Sequence, residues 1–162
     1  MFDQVSSGVL DAAILYLPRQ RFETVVEQLL QEEIVLVRHP EMVGPWSSNY
    51  ILIDWGKEFI SSYQQTYPNI PPPAVTTALG IMGLNYIRSL KAAGYVSRVT
   101  ATQLIAEGKL QLVEDAPRFQ RPVVVAYSAH PRSAELLDLA LQGLRTTCKD
   151  LERSLSVGST TA

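Results

Sequence analysis

Short apolar runs alternate with helix-forming segments along the middle of the chain, and this alternation limits the fold more than any other feature. The runs are predicted to be short strands, and they lie at residues 50–55, 74–78 and 95–99. A segment that favours helix follows each run. Alternation of this kind predicts an α/β fold with parallel strands joined by right-handed helical crossovers.

Glycines and one capping pattern set the predicted helix boundaries in this stretch. The first helix is predicted to open at Gly56, and the second to end at Gly94, since glycine is favoured just past a helix end. Thr100 and Gln103 have the spacing of a capping box, which predicts that the third helix begins there.

The flanking segments supply further elements. Residues 8–16 (GVLDAAILY) and 34–37 (IVLV) are predicted strands, and residues 22–29 between them carry apolar side chains at helical spacing. A Pro/Gly/Ser-rich linker covers residues 39–49. The strands KLQLV and PVVVAY and a long final helix with one apolar stripe follow the alternating stretch. The early linker predicts a second subdomain inserted between two pieces of a first.

Composition describes a globular domain with no sign of direct nucleic-acid or membrane binding. The 162 residues are 46% hydrophobic and 19% charged, and the net charge of −2 lacks the basic excess that phosphate binding needs. One cysteine excludes a disulfide within the chain. The sequence has no apolar run of membrane-span length and no signal-peptide pattern at its start. We therefore expect a cytoplasmic protein.

Catalytic and metal-binding motifs are absent from the sequence. His39 and His130 each precede a proline and lack a partner at ligand spacing, so both are predicted to be turn or surface residues. Cys148 lies on the apolar stripe of the final helix and is predicted to be a core residue. We expect no catalytic residue, no metal site and no cofactor.

Candidate binding residues follow the predicted parallel strands, where open α/β sheets bind ligands. Trp55-Gly56 ends one strand and opens a helix, so Trp55 either walls off a ligand or belongs to the core. The Thr76-Thr77 hydroxyls either bind a carboxylate or cap a helix. Any anion is expected near these two pairs, with Ser97 close by and with Tyr16 and Leu17 closing the site from the other subdomain.

Several segments in order resemble the effector-binding domain of LysR-type transcription regulators. They are GVLDAAILY, LLQEEIVLVRHP, MGLNYIRSLKAAGYVSRVTATQLIAEGKLQLV, RPVVVAYSAHP and AELLDLALQGL. One element departs from the family pattern of a glycine turn followed by Leu-Pro. Tyr95-Val96-Ser97 replaces its second glycine, and Arg98-Val99 replaces Leu-Pro.

The resemblance implies a periplasmic-binding-protein-like fold with two Rossmann-like subdomains and mostly parallel sheets, the first subdomain being incomplete. Subdomain I is expected at 1–40 and 128–162, and subdomain II at 41–127. The chain is expected to cross between them near 38–49 and 126–130. The resemblance also implies that residues 22–29 are a strand, against their helical spacing, with Glu32-Glu33 in a turn before the next strand.

Regarding function, the resemblance implies a regulatory domain that binds a small organic anion in a cleft and forms a homodimer or larger homo-oligomer. DNA would be bound only through a helix-turn-helix domain. We expect that domain and the first βαβ unit of the sensing domain to be absent, so the chain is either a fragment or a shortened gene product. A dimerisation module without sensing and an enzyme on the same fold remain alternatives. An enzyme would need a nucleophile with a base, which the sequence does not show.

Overall fold

The computed structural model describes residues 2–16 and 23–157 as a mixed α/β structure, which confirms the predicted class. The strands are β1 (Ala12–Leu15), β2 (Thr24–Arg38), β3 (Tyr50–Ile53), β4 (Val75–Thr77), β5 (Ala93–Ser97), β6 (Gln111–Leu112) and β7 (Phe119–Ser128). The helices are α1 (Phe2–Ser6), α2 (Lys57–Thr66), α3 (Gly80–Ser89), α4 (Arg98–Ala106) and α5 (Ala134–Val157). A single 3₁₀ turn, Trp46–Ser48, precedes β3.

The chain forms two compact units. The first unit consists of Met1–Gln31 and Pro122–Ala162, and the second unit is Glu32–Arg121. The predicted crossings at 38–49 and 126–130 remain a prediction, because a division into compact units does not show where the chain bends.

The second unit contains the predicted parallel strands. β3 lies between β4 and β5 and is parallel to both, whereas β5 pairs on its other side with β2 in the antiparallel direction. β6 adds two residues beside the end of β2. The three strands of the alternating sequence stretch thus form the parallel centre that their spacing predicts.

Helices cover both faces of this sheet because strand side chains alternate between two apolar cores. On one face Ile53 and Val96 pack in a core with Leu84 and Ile87 of α3. On the other face, Tyr95 packs in an aromatic core with Phe59 and Tyr63 of α2. Full burial of each such side chain contributes about 1.5–3 kcal/mol to the stability of the fold. This packing holds the helices against the two faces of the sheet.

Two predicted helix boundaries in this unit are wrong. Gly94 lies within β5, and α3 ends earlier, where Lys91 adopts the left-handed backbone (φ 49°) usually taken by glycine. Close packing requires glycine at position 94, since a Cβ there would lie 2.8 Å from the carbonyl oxygen of Ile51 and 2.7 Å from Cδ1 of Ile87. The capping box is also wrong, because α4 begins two residues before Thr100.

The first unit differs from the predicted strand at residues 8–16. Only Ala12–Leu15 forms a strand, which pairs antiparallel with β7, and the short helix α1 precedes it. The buried residues Leu137 and Leu141 of α5 pack against Val125 of β7. The apolar stripe of the final helix therefore supplies the core of this unit, as its spacing indicates.

The prediction of a strand at residues 22–29 is confirmed from Thr24 onward, while Phe22 lies outside the described residues. The turn predicted at Glu32-Glu33 is wrong, because β2 continues through both residues. Each carboxylate has an arginine partner in the second unit, Arg121 for Glu32 and Arg98 for Glu33. These partners allow two adjacent acidic residues to remain in a partly buried strand.

A bidentate ion pair in the first unit gives a pH-dependent prediction. The Nε and Nη2 atoms of Arg145 on α5 donate to the carboxylate of Glu27 on β2, at 2.7 and 2.6 Å. The hydrogen bonds from Arg145 hold the pKa of Glu27 below its ordinary value of 4.5. The pair therefore stabilises the fold above pH 4.5, and this contribution is lost as the pH falls through the lowered pKa.

We expect Glu27→Gln to lower the urea midpoint slightly at pH 7, because both side chains are partly exposed and solvent screens the pair. The difference from the parent should narrow steadily below pH 4.5. Urea denaturation of both proteins between neutral and acidic pH checks this. A difference that does not change with pH would show that the lost interaction is not the ionised pair.

Candidate functional site

The three parallel strands of the second unit end at one edge of the sheet, called here the strand-end edge. Its positions are Ile53 of β3, Thr77 of β4 and Ser97 of β5. Ile53 pairs with Thr77 in the β3–β4 register, and the backbone N–H of the next residue, Asp54, donates to the Thr77 carbonyl at 2.8 Å. The strand-end edge therefore brings together the candidate residues of the second unit.

A helix begins directly beyond each strand end. The N-cap residues are Gly56 for α2, Leu79 for α3 and Ser97 for α4. Within the described part of the chain, none of these three N-cap residues caps its helix with a side-chain hydrogen bond. Three helix N-termini with a partial positive charge and free N–H groups therefore lie at the same edge, an arrangement that attracts an anion.

Gly56 has a backbone that favours glycine. Its φ of 109° lies in the left-handed half of conformational space, and its N–H donates to Oδ1 of Asp54 at 2.8 Å. Asp54 thus closes a turn that ends before α2. Among the described residues, the N-cap Gly56 supplies no side-chain hydrogen bond to the first N–H groups of α2.

Thr76 and Thr77 extend to opposite faces of β4, as neighbouring residues of a strand do. The Thr77 hydroxyl accepts a hydrogen bond from the N–H of Leu79 at 3.2 Å, so it already orders the turn into α3. Thr76 is exposed. A ligand at one face of the strand-end edge would therefore meet one threonine side chain rather than both.

Ser97 has an unusual environment for an N-cap serine. It is 5% exposed, and its Oγ has no hydrogen-bond partner within residues 2–16 and 23–157. Serine at this position ordinarily caps its own helix, which Ser97 does not do. It lies on the same face of β5 as Tyr95, two residues before it. A buried hydroxyl without a partner costs stability, so a group that accepts or donates a hydrogen bond there would recover that cost.

We expect Ser97→Ala to raise the free energy of unfolding by about 1 kcal/mol, because it removes a buried hydroxyl that lacks a partner. Ser48→Ala is the control, since the exposed Ser48 hydroxyl donates to the Pro45 carbonyl at 2.8 Å and its loss should not stabilise. Urea denaturation of the ligand-free proteins measures both changes. A clear loss of stability in Ser97→Ala would mean that its hydroxyl is satisfied in the free protein.

Trp55 contacts three other parts of the second unit. Its indole N–H donates to the Tyr95 carbonyl at 2.8 Å, and a Cβ at Gly80 would lie 2.6 Å from its Cη2 atom. The Arg121 guanidinium lies over the ring, 4.5 Å from the centroid. Trp55 packs against both apolar cores while remaining partly exposed, which agrees with the core interpretation. Its role in walling off a ligand stays a prediction. Sequence reasoning missed Arg121, because no local pattern connects it with Trp55.

The two candidate residues from the first unit remain untested. Tyr16 is about half exposed, at 47%, and Leu17 lies outside the described residues. Their predicted role in closing a ligand site stays a prediction.

Within the second unit, His39 lies away from the strand-end edge. His39 lines a cavity of about 310 Å³ with Pro40, Glu41, Arg88, Gly108 and Lys109. This cavity is at the opposite end of β5, because the N–H of His39 donates to the Ala92 carbonyl. Burial raises the pKa of Cys148, which disfavours the reactive thiolate. Among the described residues, no cluster of His, Cys, Asp and Glu could hold a metal ion, and no helix has the length and apolarity to span a membrane.

Comparison with known proteins identifies the fold. No family model and no curated protein matches the sequence. The bromide-bound regulatory domain of HypT from Salmonella typhimurium, a LysR-type regulator, superposes with a TM-score of 0.75 at 12% identity. The match covers 92% of this chain and 77% of the HypT domain. The fold is that of a LysR-type regulatory domain. This match confirms the predicted periplasmic-binding-protein-like class.

Other proteins with the LysR-type fold match in the same way. The reduced OxyR regulatory domain from Pseudomonas aeruginosa has a TM-score of 0.66 at 18% identity, over 90% of this chain and 77% of that domain. Full-length LysG from Corynebacterium glutamicum with bound effector Arg has a TM-score of 0.67 at 13% identity. That match covers 91% of this chain and 54% of LysG, so the chain spans about half the length of the full-length regulator.

Proposed function

We propose that the chain is the effector-sensing regulatory domain of a LysR-type bacterial transcription regulator and that it binds a small organic anion at the strand-end edge. The observation that carries this proposal is the group of three helix N-termini beside the Ser97 hydroxyl. Within residues 2–16 and 23–157, no N-cap side chain caps these helices and the Ser97 hydroxyl has no hydrogen-bond partner. DNA binding in the cytoplasm would belong to a helix-turn-helix domain outside this chain.

Local charge supports recognition by N–H groups and hydroxyls more than by free cations. Arg98, the first residue of α4, donates to the Glu33 carboxylate at 2.6 Å, and Arg121 is paired with Glu32. Backbone N–H groups at a helix start carry partial positive charge and need no counterion. A small carboxylate is therefore a better fit than a highly charged anion. The bromide ion bound to the HypT domain and the effector Arg bound to LysG define the range to be tested.

A thermal-shift panel tests the proposal on the chain itself. The probes are sodium bromide, inorganic phosphate, monocarboxylates, dicarboxylates and free amino acids including arginine. An anion present at 100 times its Kd should add about 2.7 kcal/mol of stability, which is a rise in Tm of roughly 5–10 °C. The proposal fails if every probe leaves the Tm unchanged.

Substitutions then locate the binding site of an active probe. Ser97→Ala and the double change of Thr76 and Thr77 to valine should each raise its Kd about tenfold, since each removes hydroxyl groups from the strand-end edge. Thr66→Val is the matched control, because the exposed Thr66 hydroxyl donates to Ser62 within α2. In a full-length parent, the threonine double variant should lose its effector response. An intact response would place the site elsewhere.

A second candidate function, dimerisation without sensing, is favoured by an exposed apolar face beside a sheet edge. The exposed residues at the start of α3 are Leu79 at 63%, Ile81 at 65% and Met82 at 39%. They follow β4, which pairs only with β3 among the described strands. Apolar side chains next to an open strand suit a second copy of the chain.

Light scattering at tens of micromolar concentration tests this pairing. The parent chain should be a dimer or larger, and Ile81→Glu should be a monomer, because a charge in an apolar interface is costly. The exposed Leu136→Glu on α5 is the control and should leave the assembly unchanged. A monomeric parent excludes the dimerisation module. A dimer that responds to no anion would favour that module over the sensor.

A further inference from the structure

The first and last residues of the second unit are bound to each other. Glu32 opens this unit on β2 and Arg121 closes it on β7. The Arg121 Nε atom donates to the Glu32 carboxylate at 2.9 Å, and its Nη2 atom donates to the same oxygen. Their side chains are 11% and 13% exposed, so little solvent screens this ion pair.

The same arginine forms one of the contacts that hold Trp55. Its guanidinium lies 4.5 Å from the centre of the indole ring, within the range of a cation–π interaction. The hydrogen bond to Tyr95 fixes the indole nitrogen, and Gly80 allows close approach at the ring's far side. Arg121 is the last residue of the second unit, so this contact with Trp55 does not come from the strand-end edge.

We propose that Arg121 is a positioning residue for Trp55, held in place by Glu32. It fixes the indole beside the helix N-termini and links the strand-end edge to both points where the chain enters and leaves the unit. What Trp55 does for a ligand rests on the proposed function. The positioning itself concerns the free protein and can be measured without a ligand.

The neighbouring acidic residue supplies a matched control. Glu33 follows Glu32 on β2 and forms ion pairs with Arg98 at 2.6 Å and with Arg118 at 3.6 Å. Adjacent strand residues extend to opposite faces, so Glu33 is not part of the Arg121 pair. Removing either carboxylate breaks a partly buried ion pair, but only Glu32 is bound to the arginine that lies on Trp55.

The experiment uses tryptophan fluorescence of the folded chain. Trp46→Phe leaves Trp55 as the single tryptophan, since the sequence has two. In this background we compare Arg121→Gln, Arg121→Lys, Glu32→Gln and the control Glu33→Gln by acrylamide quenching and by fluorescence anisotropy. All are measured well below the Tm of each variant, so that a loss of stability alone does not change the signal.

Arg121→Gln should raise the quenching constant of Trp55 about twofold and lower its anisotropy, because the cation–π contact is lost and one face of the ring is uncovered. Arg121→Lys and Glu32→Gln should lie between this variant and the parent, since lysine lacks the planar fork and glutamine lacks the charge. Glu33→Gln should match the parent.

Unchanged quenching in Arg121→Gln would overturn the proposal, even if its Tm falls. If that variant does not fold, Arg121→Lys and Glu32→Gln decide in its place, and parent-like quenching in both has the same meaning. An equal effect of Glu33→Gln and Glu32→Gln would also overturn it. Failure of the anion panel leaves this fluorescence result intact, so the two proposals fail separately.

Discussion

Gly94→Ala should lower the free energy of unfolding by about 3 kcal/mol. A Cβ at this position would lie 2.8 Å from the carbonyl oxygen of Ile51 and 2.7 Å from Cδ1 of Ile87. The Ile51 oxygen belongs to the neighbouring parallel strand and cannot move without disturbing the β3–β5 pairing. The new methyl group must therefore separate the two strands or displace α3.

Gly143→Ala is the control for this prediction. Gly143 lies within α5, and among the described residues no side chain or other part of the fold approaches within 4 Å of its Cβ position, so alanine should stabilise the helix by up to about 1 kcal/mol. Urea denaturation of both variants gives the comparison. If the two substitutions changed stability equally, the close approach of β3, β5 and α3 at Gly94 would be incorrect.

Trp55→Ala should also cost about 3 kcal/mol, at the lower end for a buried tryptophan because the ring is partly exposed. The change removes the ring from both apolar cores and deletes the hydrogen bond to Tyr95. Trp55→Phe keeps most of the ring and should cost about 1 kcal/mol for the lost N–H donor.

The pair of Trp55 variants separates packing from hydrogen bonding. Thermal denaturation should rank the proteins as parent, Trp55→Phe and Trp55→Ala in order of decreasing stability. Parent-like stability in Trp55→Ala would mean that Trp55 is a surface residue without a structural role. Its place between the cores would then be wrong.

Local sequence signals were sufficient for the parallel strands of the second unit. β3, β4 and β5 follow short strand signals in the sequence, each followed by a helix, and this alternation predicts parallel strands joined by helices. Because parallel strands end at one edge, the same pattern also placed Trp55, Thr77 and Ser97 near each other. These predictions depend only on the spacing of residues along the chain and not on contacts between residues far apart in the sequence.

The wrong predictions concern residues whose environment is set by distant parts of the chain. Gly94 was predicted to end a helix because glycine is common at that position. The carbonyl of Ile51 and the side chain of Ile87 instead require a glycine inside the strand. Glu32 has a partner 89 positions away, so its place within β2 has no local signal. The Thr100–Gln103 pattern indicated a helix start, but α4 already begins at Arg98, directly after the N-cap Ser97.

The burial of Ser97 and the contact between Arg121 and Trp55 could not be read from the sequence for the same reason. An N-cap serine is usually a partly exposed acceptor, and only the packing of β5 between β2 and β3 buries it. Arg121 has no motif of its own. Both features depend on the assembled sheet. Experiments on Ser97 and Arg121 therefore test the structure as well as the proposals.

Amide chemical-shift mapping with an anion from the thermal-shift panel locates the ligand directly. In ¹⁵N-labelled protein, we predict that the largest shifts occur at the amides of Gly56, Thr77 and Ser97 and in the first turns of the helices that follow them. Shifts centred instead on the cavity lined by His39, Arg88 and Lys109, with the strand-end edge unchanged, would contradict the proposed site.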